Sequence, residues 1–253
     1  MATKGRQGTE VTAPKATALV GDEMPDFLRG KGGARGQENV GIEDLVIPRL
    51  EVVQDLSPCR KRNDPSYIEG AQEGMLYNNV TRQLYGEAVL VVPVGFVKEW
   101  LIWRDRDSGG GFRGAFATAA DARQAIMAMD DGDDCEIVDT NQQFCLLIND
   151  DGCEEIVVSM AKSKAKVSRK WNALIRMSES DSFSRVYRLS AVPDTNAKNQ
   201  SYYNLSVSLA GFPSLEVYQR AEKMYEAIMR GHVVADRSET DGDRPNRGAN
   251  PEF

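Results

Sequence analysis

The stretch from Gly86 to Arg106, GEAVLVVPVGFVKEWLIWRDR, constrains the fold of this chain more than any other. From Ala88 to Val94 it is an almost continuous apolar run, which is typical of a strand buried on both faces. Pro93 has no amide hydrogen to donate and Gly95 has no side chain to pack, so we expect a bulge or sharp bend there. The stretch therefore predicts one long, bent strand around which the rest of the chain is built.

The second half of this strand has a different character. Side chains of a strand alternate between its faces, so one face is predicted to carry aromatic and cationic residues together. The residues on that face are Phe96, Lys98, Trp100, Ile102, Arg104 and Arg106. Such a face suits a nucleic-acid strand, because cations meet phosphates while flat rings stack on bases. The alternative is that Trp100 and Trp103 are core or edge residues and that the cations form a solvated strand face.

Length and composition set the class of protein. The chain has 253 residues, of which 41% are hydrophobic, which is ordinary for a soluble globular protein. No apolar run reaches the roughly 20 residues that span a bilayer, and the N-terminus lacks a secretory signal, so we expect a cytoplasmic protein. The four cysteines form no Cys-x-x-Cys pair and His232 is the single histidine. This composition argues against a zinc site and favours buried free thiols.

The charge distribution is more informative than the net charge of −7. Residues 130–155 contain ten acidic residues and no Lys or Arg, whereas residues 160–177 contain six basic residues and no acid. This segregation predicts that one face of the protein is basic and that the negative charge lies elsewhere. We expect five cations of the basic segment to contact phosphates. They are Lys162, Lys164, Lys166, Arg169 and Lys170.

The chain divides into three parts. Residues 1–44 are rich in Gly, Ala, Thr and charge and predict a flexible segment, and residues 233–253 predict a disordered, mildly acidic tail. Residues 45–232 form the predicted domain. Within it, MLYNNV and the long strand flank TRQLYG, which indicates a hairpin, and GGGFRGAF predicts a flexible loop that carries Phe112 and Arg113.

The remaining pattern predicts the fold class. Residues 117–129, the basic segment and a stretch from about Ser214 to Met229 have helical spacing, and seven or eight strands do not alternate with them. In the basic segment, Val167, Trp171, Leu174 and Ile175 form a stripe that faces the core. We therefore predict a mainly β, α+β fold, an OB-fold-like antiparallel barrel with two or three added helices.

Catalytic patterns are few. The single histidine, His232, lies close to the tail and no Gly-x-Ser-x-Gly elbow is present, so we expect no His-based catalytic arrangement. The three glycines of DSGGGFRGAF fit neither a Walker loop nor a dinucleotide fingerprint. Asp130, Asp131, Asp133 and Asp134 could bind a divalent ion, which leaves a metal-dependent nuclease as a third hypothesis. The sequence otherwise predicts no enzyme, no cofactor and no metal.

Several segments together carry a resemblance to a known family. IPRLEVVQDLSP, the long-strand region, GGGFRGAF, SRKWN and SYYNLSVSLAGF resemble bacteriophage single-stranded-DNA-binding proteins of OB-fold type, over roughly residues 46–230. The resemblance implies a non-catalytic protein that coats single strands in phage replication, recombination or repair, in the host cytoplasm. Single-stranded-DNA-binding proteins of bacteria and of T7-like phages often end in an acidic tail with a terminal aromatic residue, which recruits partner enzymes. Here the corresponding residues are Asp241, Asp243, Glu252 and Phe253, although Arg237, Arg244 and Arg247 dilute the acidity.

The leading hypothesis is thus a single-stranded-DNA-binding protein that binds replication or recombination enzymes through its tail. A homo-oligomer is compatible with this hypothesis. The second is a phage interaction or structural protein, such as a virion component or an inhibitor of a host enzyme, without nucleic-acid activity. The predicted DNA-binding residues are Lys98, Trp100, Arg104, Arg106, Phe112, Arg113, Lys162, Lys164, Lys166, Arg169, Lys170, Arg188, Lys198 and Tyr202.

Overall fold

The structure is a computed structural model that describes residues 46–150, 152–196, 199–230 and 234–235. The predicted flexible segment at 1–44, Lys198 and the tail residues Asp241, Asp243, Glu252 and Phe253 lie outside the described residues, as does the side chain of Arg106. None of the described helices combines the length and apolar character needed to cross a bilayer.

Eleven strands and three α-helices form within the described residues. The strands are β1 (Val46–Ile47), β2 (Leu50–Val52), β3 (Leu76–Asn78), β4 (Leu84–Gly86), β5 (Ala88–Arg104), β6 (Phe112–Phe116), β7 (Cys135–Asn149), β8 (Gly152–Ala161), β9 (Val186–Thr195), β10 (Ser201–Gly211) and β11 (Val234–Ala235). The helices are α1 (Ala119–Met127), α2 (Ala165–Arg176) and α3 (Leu215–Met229). The α+β class predicted from the sequence is confirmed.

The main sheet is antiparallel and is built on β5, as the sequence predicted. Its strand order is β10-β9-β5-β7-β8, and β6 also pairs with β5. The pairing of β5 with β7 shifts register between Pro93 and Gly95. This irregularity confirms the expected bulge, and it divides β5 into a proximal half before Pro93 and a distal half after Gly95.

The two edges of β5 are paired differently. On one edge, β7 pairs with it from Leu90 to Arg104. On the other edge, β9 pairs with residues 88–91 and β6 with residues 100–103. Residues 92–99 therefore have no strand beside them on this second edge within the described part of the chain.

Both faces of the main sheet are covered. One face packs against α2 and a small sheet of order β2-β3-β4, in a core that includes Trp171, Leu76 and Val91. The opposite face packs against α3, with Met224 and Val92 in its core. A strand in such a three-layer arrangement buries both faces, which explains the continuous apolar run of β5.

A closed barrel is not found among the described strands, and the OB-fold is not confirmed. The outermost strands of the main sheet, β8 and β10, are not paired with each other. Helix α2 packs against both of them instead. The sheet thus curves around a core that a helix completes.

Local predictions had mixed outcomes. Helix α1 and helix α3 form where expected, and the hydroxyl of Ser214 accepts a hydrogen bond from the Val217 amide as the predicted cap. The predicted hairpin between MLYNNV and the long strand is wrong. Strand β3 pairs with β4, and residues 88–91 of β5 pair with β9. The prediction of a flexible loop at GGGFRGAF is also wrong, because Phe112 and Arg113 are the first residues of strand β6, which pairs with β5.

Candidate nucleic-acid interface

The distal half of β5 carries exposed aromatic and cationic side chains. Phe96 is 43% exposed, Lys98 is exposed and Trp100 is half-buried. The Lys98 ammonium lies 5.0 Å from the centre of the Trp100 ring. Ile102 shares the predicted face but is fully buried, so the accessible part of this face ends near Trp100. We call Phe96, Lys98 and Trp100 the strand site.

The acidic segment lies beside the cations of the strand region, not apart from them. Four of its carboxylates, Asp131, Asp134, Glu136 and Asp139, lie just before β7 or near its start, and β7 runs antiparallel to the distal half of β5. The ion pairs are Lys98–Asp139 at 2.9 Å, Arg104–Asp131 at 3.4 Å, Arg104–Asp134 at 3.6 Å, Arg113–Asp131 at 2.7 Å and Lys162–Glu136 at 3.3 Å. The expectation that the negative charge lies elsewhere is therefore wrong for the strand region. Only the Lys162–Glu136 pair joins the acidic segment to the basic segment, whereas the other four pairs involve cations of β5 and β6.

These ion pairs bear on the metal hypothesis. Asp131 and Asp134 face the guanidinium groups of Arg104 and Arg113. Within the described residues, no group of three or more His, Cys, Asp or Glu side chains could hold a metal ion.

Among the thiols, Cys59 and Cys145 are buried, and burial raises the pKa of Cys145 well above its usual value. Cys145 thus stays a neutral core thiol.

Helix α2 presents cations that lie outside the ion pairs of the strand region. Lys166, Arg169 and Lys170 are exposed on it, and they form no ion pair with a described residue. Trp171 is fully buried on the opposite side and meets Tyr187 edge-on at 6.0 Å. The predicted apolar stripe is confirmed, since Val167, Leu174 and Ile175 also pack against this core. The helix therefore turns one face to the core and a basic face to solvent.

A cleft of about 430 Å³ lies between α2, the open edge of β5 and the end of α3. It is lined by Phe96 from β5, Asn172 and Ile175 from α2, and Tyr225 and Ile228 from α3. A Cβ atom at Gly95 would lie 3.3 Å from the Ile228 side chain, so glycine lets α3 approach the strand closely. Asn172 follows Arg169 by three residues and precedes Arg176 by four. These three side chains share one flank of α2, which borders the cleft.

The other predicted residues are placed less favourably. Arg188 is exposed on β9, and Lys164 is half-buried in the turn before α2. Phe112 packs against Trp103 with ring centres 5.4 Å apart, so it supports the core. The Tyr202 hydroxyl donates to Asp194 at 2.8 Å, and burial together with this bond raises the pKa of Tyr202. Hydrogen bonds from Asn204 and Tyr202 lower the pKa of Asp194, which keeps a negative charge beside Tyr202.

Sequence reasoning did not select three residues that line the cleft. Phe96 stood on the predicted face, and the helical spacing between Asn172 and Arg169, which was predicted to bind DNA, could have identified the shared flank. Gln143 also lines the cleft. Its position depends on the register between β5 and β7, for which the sequence carries no signal.

The Pam3 phage gp34-like protein family matches residues 14–234, which is more than half of the chain and nearly the whole described region. The chain belongs to this family. Membership in the gp34-like family supports the phage character that the sequence resemblance implied, and it names no ligand or activity. No curated protein and no solved structure matches this gp34-like protein.

Proposed function

We propose that this gp34-like phage protein binds single-stranded DNA without catalysis and coats it during phage replication, recombination or repair. The observation that carries the proposal is the position of the strand site relative to α2. Exposed Phe96 lies on the same strand as Lys98 and the Trp100 ring, and it also lines a cleft whose other wall is α2, a helix with cations that form no ion pair within the described residues. Aromatic platforms beside a cationic track are the arrangement that binds single strands with little sequence preference.

The two parts have separate roles in this proposal. Lys166, Arg169 and Lys170 contact phosphates. Their contribution to affinity falls as salt rises, because binding releases counterions from the DNA and this release is less favourable in a concentrated salt solution. Phe96 and Trp100 stack on bases, which every base permits because each has a π-face. The predicted OB-fold would bind nucleic acid on an exposed strand face, and the proposal keeps this mode of binding. Action in the host cytoplasm, self-association on DNA and recruitment of replication or recombination enzymes through residues 241–253 belong to the same proposal.

The test is a filter-binding titration with a labelled single-stranded oligonucleotide at several salt concentrations. Tight binding at low salt that weakens steeply as salt rises is the expected result. A duplex of the same sequence is the control, and it should bind more weakly because its bases are not available for stacking. Failure to bind single strands even at low salt would contradict the proposal.

The ion pairs of the strand region favour one second function. Four of the predicted phosphate contacts, Lys98, Arg104, Arg113 and Lys162, already face carboxylates. A surface of this kind suits an interaction protein, for example a virion component or an inhibitor of a host enzyme. Absence of oligonucleotide binding supports this second function. Shortening of the oligonucleotide only in the presence of magnesium would instead support the nuclease hypothesis.

A further inference from the structure

The cleft beside the strand site holds an unsatisfied hydrogen-bond acceptor. Gln143 lines the cleft and is 1% exposed. Its Nε2 donates to the Gly95 carbonyl at 3.2 Å, whereas its Oε1 is buried with no partner among the described residues. A carbonyl only accepts hydrogen bonds, so the amide orientation is set and the oxygen remains as the acceptor. Buried acceptors are usually satisfied, which points to a missing donor.

The rest of the lining defines the chemistry of that donor. No charged side chain lines the cleft. Phe96 and Tyr225 are exposed aromatic side chains, Ile175 and Ile228 are apolar, and Asn172 adds a second amide. An uncharged, flat group with N–H donors on its edge fits such walls, whereas a phosphate does not.

We propose that the cleft is a binding pocket for one nucleobase of the bound strand, with Gln143 Oε1 accepting a hydrogen bond from the edge of the base. This inference rests on the proposed single-strand binding. The base leaves the stack and enters between Phe96 and Tyr225, while the flanking phosphates remain outside near Arg169 and Arg176. Every base has an N–H donor on its edge, so the pocket holds a base without demanding one sequence.

The chain offers a matched pair of variants as the test. Gln142 is also 1% exposed, and neither of its amide atoms has a partner among the described residues, but it points to the opposite face of β7 and does not line the cleft. Gln143→Leu should lower the affinity for a single-stranded oligonucleotide about fivefold to tenfold, as expected for one net hydrogen bond. Gln142→Leu should leave it unchanged. The slope of log affinity against log salt should be the same in both variants, because no phosphate contact is lost.

An oligonucleotide of the same length without bases separates base contacts from phosphate contacts. It should bind the wild type and Gln143→Leu equally. If the wild type binds the normal oligonucleotide and both leucine variants bind it as tightly as the wild type, the pocket is overturned while single-strand binding stands. If the wild type binds no oligonucleotide at low salt, the proposed function itself is overturned, and the pocket with it.

A second measurement uses only the wild-type protein, so it does not depend on the folding of any variant. An oligonucleotide that contains 5-iodouracil crosslinks under long-wave ultraviolet light to aromatic side chains that contact the base. Mass spectrometry should find the crosslink on Phe96 or Tyr225. Crosslinks that occur only at aromatic residues outside the cleft would overturn the pocket.

Discussion

The Nζ atom of Lys98 lies 2.9 Å from Oδ2 of Asp139, the residue that pairs with Trp100 across β5 and β7. Both side chains are substantially exposed, so the ion pair itself stabilises the fold little. It does place a carboxylate where a phosphate of a bound strand would approach Lys98. In the proposed complex, Asp139 would compete with DNA for the Lys98 ammonium.

Asp139→Asn should therefore raise the affinity for single-stranded DNA about twofold to fivefold at low salt, with a smaller gain at high salt where charges are screened. Titrations at two salt concentrations measure the effect. Asp150→Asn is the control. Asp150 is exposed at the far end of β7, and its replacement changes the net charge by the same amount. Equal gains from both variants would mean that only the net charge matters.

Trp100→Ala should weaken single-strand affinity roughly tenfold or more, since stacking contributes about 1–3 kcal/mol per base. The Trp100 side chain is half-buried and not part of the core, so the variant should fold. Phe212→Ala is the control, because Phe212 is 72% exposed and lies under Arg185 at 4.1 Å, outside the strand site. A folded Trp100→Ala protein with wild-type affinity would remove this residue from the binding surface.

The triple variant Lys166→Ala, Arg169→Ala, Lys170→Ala should lower the slope of log affinity against log salt by about 2, because each lost phosphate contact contributes about 0.7 on a single strand. The measurement is a salt series on one oligonucleotide. The control replaces Lys61, Arg62 and Lys223 by alanine. These residues are exposed outside α2, and their replacement removes the same amount of charge. A wild-type slope in the α2 variant would leave its basic face simply solvated.

Trp171→Ala should lower the free energy of unfolding by about 3–5 kcal/mol, because it empties a large, fully buried site between α2 and the main sheet. Trp171→Phe should cost much less. The indole Nε1 has no partner among the described residues, so phenylalanine fills most of the site and removes an unsatisfied donor. Urea denaturation compares the two variants, and similar losses would show that the indole nitrogen is satisfied in solution.

Sequence patterns predicted the elements that depend on local chemistry. The apolar run with Pro93 and Gly95 predicted the bent strand, and helical spacing predicted the stripe around Trp171. The closed barrel was expected from the number and order of strands. Yet the same apolar run indicated burial of both faces, which a small barrel with one solvated face does not require.

The candidate site was only partly predictable, because it depends on which segments become neighbours. Alternation placed Lys98 and Trp100 on one face correctly, but it failed at Ile102, where the face becomes buried. The ion pair of Arg113 with Asp131 joins residues that the chain separates by a helix. Such pairing follows from strand register, so composition along the chain gave no sign of it.

The edge of β5 between residues 95 and 99, which no described strand pairs, has one further consequence. An exposed strand edge can template the addition of a strand from another molecule, and charged side chains on the edge are a common defence against this. Lys98 and Glu99 are the charged residues of that segment, between the exposed Phe96 and the half-buried Trp100. A protein in which both charges are replaced by neutral residues should therefore precipitate on storage at concentrations where the wild type stays clear.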